Sequence, residues 1–380
     1  MPKKTAKKVL NSKNYPLICK YSLQVMTSTI DITFTPTSQT RVNEQDVNNV
    51  QFGRTFSDYM FIAEFENGRW SKASIEPYRL VPMSYALAAL HYGQAIFEGM
   101  KAYKFEDGRV AVFRPLDNFH RMNKSAVRMA MPEVPEDVFM NGLLELLKLD
   151  KNWVPTAEYG SLYIRPFLIA TDEAIGVRPS DKYQFVIITS PAGKYYNEPV
   201  KVMVERDYFR AVRGGVGYVK AAGNYGRSLY PTRLAQDKGF QQVIWTDAES
   251  HQFVEESGTM NLMFMVDGKL LTPALSDTIL AGITRDSVLK IARDWNIPVE
   301  ERKVSIQEIS EAYKNGKLQE AFGTGTAATI AHISAIGLDD ELMTLPPVQE
   351  RKFSPKVDEY LRAIRKGKEE DKFNWMHVIG

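Results

Sequence analysis

Short apolar runs broken by Asn-Gly and Asp-Gly pairs dominate residues 40–115, and that pattern predicts strands rather than helices. Phe61-Ile62-Ala63-Glu64-Phe65 and Val110-Ala111-Val112-Phe113 are strand candidates, with hairpin turns at Asn67-Gly68 and Asp107-Gly108. Both dipeptides tolerate the positive φ that such turns need. The apolar period then changes. Phe119, Met122, Ala126 and Met129-Ala130 share one stripe of a helix predicted from an N-cap at Asp117 to about Met131. A second helix, about 136–149, carries Val138, Phe139, Leu143, Leu144, Leu146 and Leu147. Ser161–Thr171 and Tyr183–Ser190 read as strands. Pro191 to Pro199 holds Pro, Gly, Asn and two tyrosines, and reads as a linker between domains.

Beyond the linker, strands and helices alternate. Strands are predicted at Val200–Glu205, Phe240–Thr246, Leu262–Val266 and Leu318–Phe322, and helices at about 227–238, 284–295 and 305–315. The run from Pro347 reads as a helix and a packed tail ending in Phe373, Trp375 and Val378.

With 380 residues and 44% hydrophobic content, the chain can bury a large core in one or two domains. Its net charge of +2 is unevenly placed: residues 1–30 carry six lysines and no acid. Residues 1–25 are expected to be a disordered basic leader, and Met26 is an alternative start. The remaining body is mildly acidic, so no nucleic-acid partner is expected. The single cysteine, Cys19, forbids an intrachain disulfide and fits a reducing, cytoplasmic setting. No apolar run approaches the length of a membrane span. There is no Gly-x-Gly-x-x-Gly after a strand and no Walker loop, and the five histidines show no metal spacing.

One stretch concentrates the chemistry. Residues 214–226 place a single lysine, Lys220, among glycines and alanines. Glycines let the backbone approach a flat, phosphorylated ligand closely. A lysine there can lose its proton by desolvation and attack a carbonyl. A surface turn with a solvated lysine fits the same letters. Elsewhere, Tyr163 and Arg165 lie two apart on a predicted strand and so share a face. Gly282 before a helix start at Ile283-Thr284, and the strand end Gly323-Thr324-Gly325-Thr326, are two phosphate-type cups.

The Lys220 segment resembles that of branched-chain amino-acid aminotransferases, enzymes of fold type IV that use pyridoxal 5′-phosphate. Phe97-Glu98-Gly99-Met100-Lys101-Ala102, Glu256-Ser257-Gly258-Thr259-Met260-Asn261 and Gly323-Thr324-Gly325-Thr326-Ala327 resemble the same family in the same order. The likeness runs from about residue 50 to the C-terminus. It implies a two-domain α/β fold with the cofactor at the domain interface: a smaller domain over residues 26–192, an interdomain loop at 193–200 and a larger cofactor domain at 201–380.

The resemblance also implies roles. Lys220 would hold the cofactor and move protons, with Tyr225 at the ring phenolate oxygen. Register against Gly-Thr-Met-Asn selects Glu256, rather than Glu255, as partner of the ring nitrogen. Arg121, the amides of Ile283 and Thr284, and Thr326 would hold the phosphate. Tyr92, Phe97, Tyr163, Arg165 and Tyr195 would face the substrate, and the amides of Thr259 and Ala327 its α-carboxylate. The implied reaction is reversible, ping-pong transamination between L-leucine, L-isoleucine or L-valine and 2-oxoglutarate. The implied assembly is a homodimer whose partners are small amino acids and 2-oxo acids, with no metal. The mammalian members' Cys-x-x-Cys pair is replaced here by Ala328 and Ala331, so thiol regulation is not expected. A D-amino-acid aminotransferase or an aminodeoxychorismate lyase would share the lysine and the glutamate. A non-catalytic phosphate-ligand binding protein would share the cups alone.

Overall fold

A computed structural model of the protein describes residues 31–379. The leader expected at 1–25, and residues 26–30 at the head of the expected N-terminal domain, lie outside the described residues. Two nine-stranded sheets form the frame. The first contains β1 (Ile32–Phe34), β2 (Tyr59–Glu66), β3 (Arg69–Pro77), β4 (Ala95–Phe97), β5 (Met100–Lys104), β6 (Val110–Phe113), β7 (Ser161–Ala170) and β8 (Tyr183–Ala192). The second contains β9 (Val200–Val204), β10 (Gln242–Thr246), β11 (Val254–Ser257), β12 (Met260–Val266), β13 (Lys269–Pro273), β14 (Val299–Arg302), β15 (Leu318–Gly325), β16 (Thr329–Leu338) and β17 (Glu341–Thr344). The last strand, β18 (Met376–Ile379), returns to the first sheet and pairs with β6.

Helices cover these sheets: α1 (Ala88–Tyr92), α2 (Pro115–Arg128), α3 (Glu136–Leu149), the single turn α4 (Gly223–Gly226), α5 (Leu229–Asp237), α6 (Ile283–Asp294), α7 (Ile306–Lys314) and α8 (Ser354–Arg365). Asn67 and Gly68 both take positive φ, as the hairpin between β2 and β3 demands. Asp117 does not cap α2. The helix begins earlier, at Pro115, where a missing N–H costs no helical bond, and Asp117 sits in the first turn bonded to Arg114 at 2.8 Å. β15 runs past the expected Phe322, because Gly323, Thr324 and Gly325 continue the ladder with β16.

The periodicities explain the cores. Phe61 and Phe185 from the first sheet meet Phe139 of α3, all fully buried. Each such side chain contributes about 1.5–3 kcal/mol by leaving water. Leu262, Phe264, Ala321 and Ile333 pack with Ile306 and Ile309 of α7 in the second half. A third cluster joins the halves: Tyr103 and Phe113 of the first sheet pack with Met263, Phe322, Phe353 and Trp375. The site lies where these halves meet.

Candidate active site

A cavity of about 510 Å³ opens between the two halves. Lys220 sits on a segment held by both. Its backbone N–H donates to Ser125 Oγ at 3.0 Å, and its carbonyl accepts from the Phe97 N–H at 3.1 Å. Ala221 bridges Ile96 on β4. Asn224, buried on α4, ties the preceding turn by donating to the carbonyls of Val216 and Val219. Gly217 is needed here for space, since a Cβ would lie 2.4 Å from that of Ala211 and 2.8 Å from the Thr278 carbonyl. The Lys220 amine is thereby presented to the cavity, where Nζ donates to the Tyr225 hydroxyl at 2.8 Å. The five-residue spacing of Lys220 and Tyr225 becomes contact because one helical turn separates them.

Glu256 lies elsewhere on the cavity wall, 4% exposed. Its Oε1 accepts from Asn261 Nδ2 at 2.9 Å and the Leu280 N–H at 3.1 Å, and its Oε2 pairs with Arg210 at 2.8 Å. Burial pushes its carboxyl above the ordinary range, opposed by Arg210, the Leu280 amide and Lys220. Glu255 is its neighbour on β11 and therefore faces the opposite side. It accepts from the Thr278 hydroxyl at 2.5 Å, and burial pushes it up to about 7.

The two cups converge on the same space. Gly282 precedes α6 with no side-chain cap, so the first amides of the helix carry no capping partner. Gly282 must lack a Cβ because one would sit 1.9 Å from Asn261 Oδ1. Ile283, Thr284, Thr324, Thr326 and Arg121 line the cavity with it. The Thr324 hydroxyl is buried without a partner. Arg121 gives Nε and one terminal nitrogen to Glu98, at 2.8 and 2.7 Å, and another donor to the Ala281 carbonyl at 3.1 Å. Glu98 is wholly buried, so this fork fixes the guanidinium while its remaining N–H groups stay open. An uncapped helix start, an orphan hydroxyl and an arginine suit a phosphate. A carboxylate and an amine in the same cavity suit a flat ring with a basic nitrogen and an aldehyde. These residues fit pyridoxal phosphate.

The remaining wall is aromatic. Tyr163 and Arg165 share a face of β7, and the Tyr163 hydroxyl accepts from Arg165 at 2.9 Å. The Arg165 guanidinium lies 4.5 Å from the Phe97 ring centre. Its Nε is buried without a partner. Phe97 in turn lies 4.8 Å from Tyr225. Tyr195, Thr259 and Ala327 also line this cavity. Tyr92 does not. It is 41% exposed at the end of α1, outside the cavity wall of this chain.

Four contributors were not picked out from the sequence: Phe52, Glu98, Arg210 and Asn261. Phe52 packs edge-on against Tyr163 and Tyr195, with centroids 5.0 and 5.3 Å away. It comes from an irregular stretch with no periodic pattern. Glu98 and Asn261 stood inside two of the stretches quoted above, with no role read for either.

The chain matches the model of the amino-transferase class IV family over residues 95–336. It is 43% identical to branched-chain-amino-acid transaminase 1 of Bacillus subtilis over 335 residues, covering 87% of this chain and 94% of that protein. It is 44% identical to a probable branched-chain-amino-acid aminotransferase of Staphylococcus epidermidis, over 87% of this chain and 93% of that one. Its fold is similar to that of the branched-chain aminotransferase of Thermoproteus uzoniensis solved with norvaline, with TM-score 0.70, 28% identity, and 85% and 100% of the two chains covered. The Thermobaculum terrenum branched-chain aminotransferase in its PLP form gives TM-score 0.69 at 25% identity, over 85% and 98%. The chain therefore belongs to the class IV aminotransferases and, within them, to the branched-chain-amino-acid aminotransferases, which depend on pyridoxal phosphate.

Proposed function

We propose that this protein moves the amino group of L-leucine, L-isoleucine or L-valine to 2-oxoglutarate, reversibly and in two half-reactions at one cavity. The observation that carries this reading is the pairing of Lys220 Nζ with the Tyr225 hydroxyl in the cavity that Arg165 also enters. When bound, pyridoxal phosphate supplies an aldehyde that carries the amino group and a ring that accepts the electron pair left at Cα. Lys220 Nζ holds that group between turnovers. Nζ would move the proton between the substrate Cα and the cofactor as general base and then acid. Tyr225 orients Nζ and would bond the ring phenolate oxygen. Glu256, kept in place by Arg210 and Asn261, would bond the ring nitrogen. Arg121, the Ile283 and Thr284 amides and Thr326 would anchor the phosphate.

The amides of Thr259 and Ala327 receive the α-carboxylate. Phe97, Phe52 and Tyr163 enclose an aliphatic side chain. Arg165 would meet the distal carboxylate of glutamate beside the hydroxyls of Tyr163 and Tyr195.

The working form is a homodimer in the cytoplasm. Leu80, Met83, Tyr85, Leu90, Ile175 and Val177 are all exposed. Segments 84–87 and 173–174 touch through Ser84 with Glu173 and through the Ala174 N–H on the Ala86 carbonyl. So large an exposed apolar face suits a second copy, and Tyr92 at its border is positioned to serve that copy's cavity. The domain division at residues 193–200 is supported by the separate cores of the two sheets, with the C-terminal strand Met376–Ile379 added to the first.

A steady-state assay of L-glutamate formation from L-leucine and 2-oxoglutarate tests the reading. Parallel initial-rate lines and loss of activity in Lys220→Ala are expected. Turnover of D-alanine but not L-leucine would overturn it.

A further inference from the structure

A second cavity, of about 690 Å³, borders the active-site cavity and shares Tyr195, Tyr196, Ala327 and Ala328 with it. The loop carrying Lys194, β5, the start of β16 and α8 enclose it. Its wall carries four cations, Lys101, Lys194, Arg362 and Arg365, and four acids, Glu158, Glu198, Asp358 and Glu359. Arg362 takes up two of the acids, reaching Glu158 at 2.6 Å and Asp358 at 3.5 Å. Glu198 and Glu359 are exposed at the rim.

The other two buried cations make no direct ion pair, and Asp358 acts on both only at longer range. Arg365 is 4% exposed, and among the described residues no carboxylate lies within ion-pair distance of it. One terminal nitrogen donates to the Thr329 hydroxyl at 2.8 Å, and Nε has no partner. Lys101 is 7% exposed and donates to the Ala327 carbonyl at 2.7 Å, again without a carboxylate in ion-pair range among the described residues. Two unpaired cations in low dielectric are costly, and each has a way of answering that cost. Lys101 can shed its proton: burial, with Arg365 adding to it, pulls its amine down to about 7. Arg365 cannot. A buried guanidinium that lines a roomy cavity is suited to an oxyanion, which takes two parallel N–H bonds.

We propose that this cavity is a binding site for a small oxyanion, a carboxylate or phosphate head held by Arg365 and Lys101 with Lys194 at its mouth. Lys101 and Arg365 hold the Ala327 carbonyl and the Thr329 hydroxyl, two points of one turn. Thr329 is a β-branched residue at φ 63, so the turn is strained as well as tethered. A bound anion is therefore in contact with groups that fix the turn beside the substrate. Binding itself does not depend on the proposed transamination.

Calorimetric titration of the cofactor-loaded enzyme with succinate and, separately, with inorganic phosphate tests this. The expected result is one equivalent per subunit that L-leucine does not displace. Arg365→Met weakens it roughly tenfold or more, the scale of a lost charged hydrogen bond. Lys194→Ala, at the exposed mouth, weakens it by a smaller factor while leaving the core intact. Binding of succinate alone assigns a carboxylate ligand, and binding of phosphate alone a phosphate ligand. A single equivalent fully displaced by L-leucine, or unchanged isotherms in both variants, would overturn the proposal.

Discussion

Two walls face each other across the active-site cavity, and they are made differently. The wall of the first sheet is strand and aromatic: Phe97 ends β4, while Tyr163 and Arg165 share a face of β7. The opposite wall is turns and helix starts: Lys220 before α4, Gly282 before α6, and Thr324–Thr326 at the end of β15. A strand wall offers side chains at fixed spacing, which suits shape and a single charge for substrate choice. A turn wall offers amides, hydroxyls and an amine at close quarters, which suits cofactor and proton work. The difference predicts that damage to the turn wall lowers kcat, whereas damage to the strand wall redistributes KM between substrates.

The largest effect is expected at Lys220. Lys220→Ala removes the proton carrier, so kcat falls by at least ~10²–10⁴-fold, and the visible band of the lysine-bound cofactor is absent from the spectrum. Retention of normal turnover would remove the division between the walls.

Arg165→Ala comes next. The lost bond to a distal carboxylate should raise KM for L-glutamate by roughly 10–100-fold, with KM for L-leucine moving far less. Equal increases for both substrates would mean that the strand wall does not discriminate.

Phe52→Ala should have a milder, apolar effect. Its edge-on contacts to Tyr163 and Tyr195 suggest a rise in KM for L-leucine of about threefold to tenfold, with kcat little changed. A fall in kcat with KM constant would place Phe52 with the proton chemistry instead.

The smallest effect on catalysis is expected at Asp150, buried in the first half away from both walls. Burial, with Asp58 adding to it and Ser57 opposing it, pushes the carboxyl up to about 7. The folded protein therefore holds a proton there that the unfolded chain releases from about 4 upward. Stability from this group falls as pH rises from about 4 to about 7 and is flat above. Asp150→Asn should remove that slope in urea midpoints measured between pH 5 and pH 8, and leave the KM ratio of leucine to glutamate unchanged. An unaltered slope would show that other groups set it.

The strand wall was the more legible in the sequence. Alternation put Tyr163 and Arg165 on one face, and the two Asn-Gly and Asp-Gly turns framed the hairpins around them. The turn wall showed no period to read. Glycines and a lysine suggested a ligand, but Tyr225, Glu256 and Arg121 were found through resemblance to a family. Glu98, Arg210 and Asn261 escaped because they act on other side chains, so their contacts are long-range and appear only in the fold. Phe52 escaped because its neighbours Tyr163 and Tyr195 are more than a hundred residues away. Tyr92 is the instructive opposite: the resemblance assigned it to the substrate pocket, yet its side chain lies outside this chain's own cavity, exposed at the end of α1.

The most direct test of the two-wall account is the visible absorption spectrum of the cofactor-loaded enzyme, titrated in turn with L-leucine and 2-oxoglutarate. The wild-type band should bleach with L-leucine and return with 2-oxoglutarate. In Arg165→Ala it should still bleach with L-leucine, yet need far more 2-oxoglutarate to return. A band that bleaches only with D-alanine, or an Arg165→Ala enzyme equally impaired toward both substrates, would contradict the account.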